Sequence, residues 1–383
     1  KVVATDGAAS DDFGIAVSGL SSSTFAVGAY QDTVDGTKTG SVYVFTSDSN
    51  GNWGQSDQVV ASDGAAADFF GYAVSGLGSS TLAVGAWGDD DKGASSGSVY
   101  VFTSNNAGSS WAQSDKIIAS DGDTTTLSND RFGRAVSGLS NSILAVSASN
   151  FNFELEGSVY VFTRSNGASW VQLTKVTQES GVNFGCAVSG LSSSTFVVGA
   201  YGDEAEYEGA VYVFTTDGQS WWQQGNRMEA SDGAVGDYFG HAVSGLSNRT
   251  FAVGAYYYEN DDVVGTGSVY VFTRDGNSWL QSDKVVASDG ASDDLFGFAV
   301  SGLGSSIFAV GAHNNDDMGA DSGSAYVFTS NGTGSSWVQS GNVVASDGEA
   351  GDAFGRAVSG LSSSILAVGA YKDDSQKGSA YVF

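Results

Sequence analysis

The stretch FGIAVSGLSSSTFAVGAYQDTVDG, residues 13–36, sets two short apolar runs either side of a serine turn and then breaks into acid. Much the same words return from Phe70, Phe132, Phe184, Phe239, Phe296 and Phe354. Successive Phe-Gly pairs lie 57, 62, 52, 55, 57 and 58 residues apart, so the chain is written in seven units of similar length. Such a period overrides any domain count taken from length alone.

Each unit holds four strand-like runs. In the second they are FGYAVSGL (70–77), TLAVGAW (81–87), GSVYVFT (97–103) and WAQSDKIIAS (111–120). Aromatic and Val-rich runs separated by Gly, Ser, Asn and Asp read as strands joined by tight turns, and both alternating faces of SVYVF are apolar, which suits a sheet covered on both sides. One such sheet cannot bury its faces alone; stacked radially, seven can. The expected fold is therefore all-β, a single seven-bladed β-propeller of four-stranded antiparallel blades over residues 1–383. The seventh unit ends at GSAYVF (378–383) without a fourth run, and the chain opens on KVVATDG, the end of such a run, so the N-terminal strand is expected to complete the last blade. The chain reads as a processed piece of something longer.

There are 54 Gly, no Pro and 43 acidic residues against 15 basic ones, for a formal charge of −28. That surface repels phosphate backbones and anionic lipid, which excludes nucleic acid as a partner. No run is apolar enough to insert into a membrane. A surface that only keeps the protein soluble in salty surroundings is the plain alternative. The single cysteine, Cys186, rules out an intrachain disulfide and reads as a packing residue. Trp53, Trp111, Trp170, Trp221, Trp279 and Trp337 each open a fourth run and read as packing residues too, whereas Trp87 and Trp222 fall outside the series.

Phe-Gly opening the first run and Gly-Ala closing the second, as in Phe13-Gly14 with Gly28-Ala29, resemble the FG-GAP repeat of integrin α-subunit propellers. The resemblance implies a propeller used outside the cell for adhesion and ligand binding. In several integrin-type repeats an Asp/Asn-rich calcium loop joins the first two runs. Here that connection reads GLSSST, GLGSST, GLSNSI or GLSNRT and offers no carboxylate, whereas calcium takes six to eight oxygens, so those sites do not carry over.

The acids lie instead between the second and third runs and between the fourth run and the next first run, two connections that emerge on one face of an up-and-down propeller. In the second-to-third loops, Asp89, Asp90 and Asp91, Asp203 and Glu204, and Asp316, Asp317 and Asp321 are the candidate cation ligands, calcium being the cation such oxygens suit, although none matches a known ligand spacing. Tyr30, Trp87, Tyr201, Tyr256 and Tyr371, with Asp373 and Asp374, are candidate ligand contacts on the same face, because variable loops on a rigid scaffold carry binding. The recurrent SDG turn reads as architecture. The residues after Phe-Gly, Ile15, Tyr72, Arg134, Cys186, His241, Phe298 and Arg356, are expected to ring the axial channel, with Arg134 and Arg356 paired to acidic loops. Both glycosylation sequons, at Asn248 and Asn331, fall on the opposite face.

Two histidines in different repeats and no nucleophile motif argue against an enzyme. The expected function is an extracellular or cell-surface binding, adhesion or assembly module, its partner a protein, a glycan or copies of itself. A carbohydrate-binding lectin and a structural subunit of a surface layer or fibre are the alternatives.

Overall fold

The computed structural model describes residues 1–104, 108–121, 129–149, 156–165, 167–202, 208–258, 264–331 and 336–383, with only the backbone described at 156 and 179–182. Six four-stranded antiparallel sheets and a seventh of three strands follow one another in chain order, each with its strands in sequence order. The first is Ala16–Ser21, Thr24–Ala29, Ser41–Ser47 and Trp53–Val59. The second and third strands of each blade pair without irregularity, as in Phe25 with Phe45 and Val27 with Tyr43. The second strand of the first blade, TFAVGA, is buried at every residue, because neighbouring blades cover both of its faces.

The repeated AVSGL phrase closes the ring. In each blade the Gly N–H donates to the Ser Oγ of the preceding blade: Gly76 to Ser18, Gly138 to Ser75, Gly190 to Ser137, Gly245 to Ser189, Gly302 to Ser244 and Gly360 to Ser301. Gly19 to Ser359, at 3.0 Å, joins the first blade to the seventh. Side-chain acceptors thus link the seven sheets alongside single backbone bridges between blades, such as Gly267 with Phe296.

The Gly of Gly-Ala has a steric reason. A Cβ on Gly28 would lie 2.0 Å from the Gly71 carbonyl oxygen, and one on Gly199 would lie 1.9 Å from that of Gly240. In the six blades that carry glycine here the backbones approach to contact, where a Cβ would clash. The third blade carries Ser147 at this position, fully buried, and its Oγ accepts from the Ala135 N–H.

The WxQSD phrase of the outer strand stitches the rim. Trp111 and Trp337 are buried, and the latter meets Phe308 edge-on at 4.7 Å. Gln113 accepts from the Ser62 N–H before its blade, Ser114 donates to the Val101 carbonyl, and Asp115 accepts from the Trp170 N–H of the next blade. The outer strand of the fourth blade, where this phrase is lost, shortens to Trp221–Gln223. At the N-terminus Val2 exchanges two backbone hydrogen bonds with Ala380, on the free edge of the three-stranded sheet; this is a single bridge rather than a full strand.

Candidate functional site

At the start of every blade the residue before Phe-Gly takes a left-handed backbone: Asp12, Phe69, Arg131, Asn183, Tyr238, Leu295 and Ala353 have φ between 53° and 59°. A non-glycine residue there costs on the order of 1 kcal/mol or more, and sevenfold recurrence marks it as part of the architecture. The turn brings the side chains flanking Phe-Gly against those that follow Gly-Ala, at the axial end of the loop face. Tyr30 packs on Phe69 and Tyr72, and Trp87 stacks on Phe69 at 4.5 Å. Across the ring Tyr201 meets Tyr238 and His241, Tyr238 stacks on Tyr256, and His241 meets Tyr256 and Phe298. Phe298 meets His313 at 4.3 Å. The structure therefore gathers four of the five sequence-derived aromatic candidates into an aromatic wall of two ring clusters, Tyr30 with Trp87 in one and Tyr201 with Tyr256 in the other, and the fifth, Tyr371, joins the second through Arg356 and Phe298.

Three guanidinium groups stand in this wall. Arg131 lies over Trp87 at 4.9 Å, Arg134 over Tyr72 at 5.0 Å, and Arg356 over Phe298 at 4.3 Å and Tyr371 at 5.9 Å. The pairing of Arg356 with an acidic loop does not occur: among the described residues it has no carboxylate partner, because its position on an inner strand directs it to the axis, away from the loop acids. Arg134 hydrogen-bonds the Tyr72 hydroxyl. Burial alone would raise the Tyr72 pKa, but Arg134 and Arg356 hold it below its ordinary value. Burial, with Arg356 next in effect, pushes both His241 and His313 down to about 3, so both rings are neutral near pH 7. Their Nδ1 atoms, and the Trp87 Nε1, are buried without a hydrogen-bond partner among the described residues. Cys186 shares this ring; burial pushes its thiol up to about 12, which leaves it unreactive.

The acids of the same face build a second, recurrent arrangement that composition alone did not disclose. The Tyr of VYVF reaches up between the two acidic connections. The Tyr100 hydroxyl lies 2.9 Å from Asp63 of the SDG turn and 2.8 Å from Asp89, and Lys116 of the outer strand bridges Asp63, Asp89 and Asp91 at 2.8, 3.0 and 2.6 Å. One hydroxyl proton cannot serve two carboxylates at once, and the ammonium supplies the balance. The arrangement returns as Tyr381 with Asp347, Asp373 and Lys1, and in the first blade as Tyr43 with Asp6, Asp32 and the neutral Gln58. Asp89 and Asp373 are accordingly buried. The one sequence signal was the QSDK phrase, which sets a lysine on the outer strand at a fixed place.

The remaining acids turn inward on their own loops. The Asp90 carboxylate accepts from the Ser95 N–H at 2.7 Å, and Asp316 accepts from the Asp321 N–H at 2.8 Å. Asp317 accepts from Ser324. Asp374 lies 3.5 Å from Lys1. Asp203 and Glu204 lie outside the described residues. Among the described residues no three acidic, His or Cys side chains come together to hold a metal ion. Asn248 and Asn331 are exposed on the opposite face. Among the described residues a cleft of about 420 Å³ lies at the rim between the fourth and fifth blades, lined by Gln224, Arg227 and Trp279 among others, and another of about 570 Å³ lies among turns of the opposite face, lined by Ser80, Asn141 and Arg164 among others.

The pattern of the FG-GAP repeat matches seven times, at residues 1–45, 53–102, 111–162, 170–214, 222–272, 279–328 and 337–383. The chain belongs to the FG-GAP repeat family. Among curated proteins none matches it. Solved structures similar to this FG-GAP propeller include Sqt1 of Saccharomyces cerevisiae, at 12% identity over 98% of this chain and 86% of that one with a TM-score of 0.52. Another is the periplasmic gluconolactonase PpgL of Pseudomonas aeruginosa, at 15% identity over 85% of this chain and 84% of that one with a TM-score of 0.53. At such identities the likeness is one of fold, and fold alone decides neither activity nor ligand.

Proposed function

We propose that this FG-GAP propeller is a binding module of the cell exterior, engaging a protein or glycan through the face that carries its acidic loops and its axial aromatic wall. The observation that supports the reading best is the gathering of Tyr30, Trp87, Tyr201 and Tyr256 around one axis, with Tyr371 against Arg356 and with two further rings of the wall, Phe69 and Tyr238, held in a left-handed backbone. Aromatic and arginine side chains dominate binding energy where they cluster. Exposed sequons on the opposite face agree with a loop face left clear of sugar. Binding is favoured over catalysis because the two histidines, depressed to about 3, are poor proton acceptors near neutrality and stand among rings and guanidinium groups rather than beside a nucleophile.

The test is a screen of the whole chain against arrayed glycans and extracellular-matrix proteins, repeated with Tyr256→Ala and Tyr371→Ala and with Ser22→Ala on the opposite face. Saturable binding that the two tyrosine variants lose and Ser22→Ala keeps is the expected result. Binding that survives both tyrosine changes would move the function elsewhere.

A further inference from the structure

Arg356 is the least explained charge in the molecule. It rises from the inner strand Phe354–Ser362 into the axial bore, where Phe298 and Tyr371 receive its charge on their faces but accept none of its N–H groups in a conventional hydrogen bond. Among the described residues it has neither an ion pair nor a side-chain hydrogen bond, and its nitrogens are not sealed from solvent. A guanidinium presents five N–H donors in a fork that matches a carboxylate. In a protein of net charge −28, a cation with no acid beside it on the face that concentrates acids is the exception that asks for a ligand.

Three features narrow the ligand. The wall beside Arg356 is made of rings, Phe298, Tyr371, Tyr72 and Tyr30, which suits a ring-shaped body. Asp12, which accepts from Gln31 beside Tyr30, stands near this wall, and it repels a polyanion while tolerating one charge. Tyr371 also brings a hydroxyl with no hydrogen-bond partner among the described residues, which a purely apolar ring would leave so and a sugar would not. We propose that the axial bore binds the carboxylate of an acidic sugar, with Arg356 as the ion-pairing residue and the tyrosine wall as the platform for the pyranose ring. This rests on the reading of the loop face as the binding surface and gives that surface a ligand class.

The experiment is calorimetric titration of the whole chain with D-glucuronate, D-glucose, acetate and a short acidic peptide. Saturable glucuronate binding, at least tenfold tighter than that of glucose, acetate or the peptide, is expected. Arg356→Gln should weaken it tenfold or more, and Arg356→Lys, which keeps charge and packing but loses the fork, should fall between. Arg249→Gln, the same charge change on the opposite face, should leave it unchanged; far-ultraviolet circular dichroism checks that each variant is folded. No saturable glucuronate binding, or binding equal in wild type and in folded Arg356→Gln and Arg356→Lys, overturns the proposal. A preference for the peptide overturns the sugar assignment while array binding that depends on Tyr256 and Tyr371 still stands, so the two readings fail separately.

Discussion

Gly199 shows how little room the ring leaves: with the Gly240 carbonyl oxygen 1.9 Å from where a Cβ would stand, Gly199→Ala must push two backbones apart. A loss of about 3 kcal/mol or more is expected, against under about 0.5 kcal/mol for Gly54→Ala, which meets nothing within 4 Å; chemical denaturation measures both. Asp68 carries a different residue-scale consequence. Burial, aided by the nearby Asp89 carboxylate, raises it to about 6, while its Oδ2 accepts from the Ala65 N–H. A carboxyl whose folded pKa exceeds its unfolded one favours folding when protonated, so its contribution is fully present below the ordinary carboxylate range and is lost as pH rises through about 6. Asp68→Asn keeps the acceptor and removes the charge. It should therefore raise the melting midpoint at pH 8 and converge on the wild type near pH 4.

Lys116 binds one strand to two loops, and Lys116→Met should cost about 2 kcal/mol by leaving the buried Asp89 short of its cation. The first blade offers the converse: Gln58 stands where other blades place lysine, so Gln58→Lys should gain up to about 1 kcal/mol, read from urea midpoints. The same geometry bears on calcium. A cation at Asp89 to Asp91 must displace Lys116 and the loop's own N–H groups, so identical midpoints in calcium and in chelator are expected; a rise with calcium that Asp91→Asn abolishes would contradict this. The limits of sequence reading show at this scale. Strands were legible because SVYVF and TFAVGA carry their burial in their own letters. The tyrosine knots were not, because Tyr100, Asp63, Asp89 and Lys116 come from four separate segments and only the closed blade brings them together.

At the scale of the molecule, seven Ser-to-Gly bonds close the ring, and Phe-Gly period, strand number and loop sidedness together made that architecture legible from the chain. The axial position of Arg356 was legible too, but its partner was not, since sequence order says nothing about which loops reach the axis. What the ring accomplishes is to hold variable loops and an aromatic wall on one face. The most direct measurement of that claim places a bulky maleimide label on either face, at Ala66→Cys among the acidic loops or at Ser22→Cys in an opposite turn, both in a Cys186→Ser background. Binding to whichever arrayed ligand the unlabelled protein retains is then compared. Loss with the label at position 66 and full retention at position 22 is the expected result; retention at 66 with loss at 22 would contradict it.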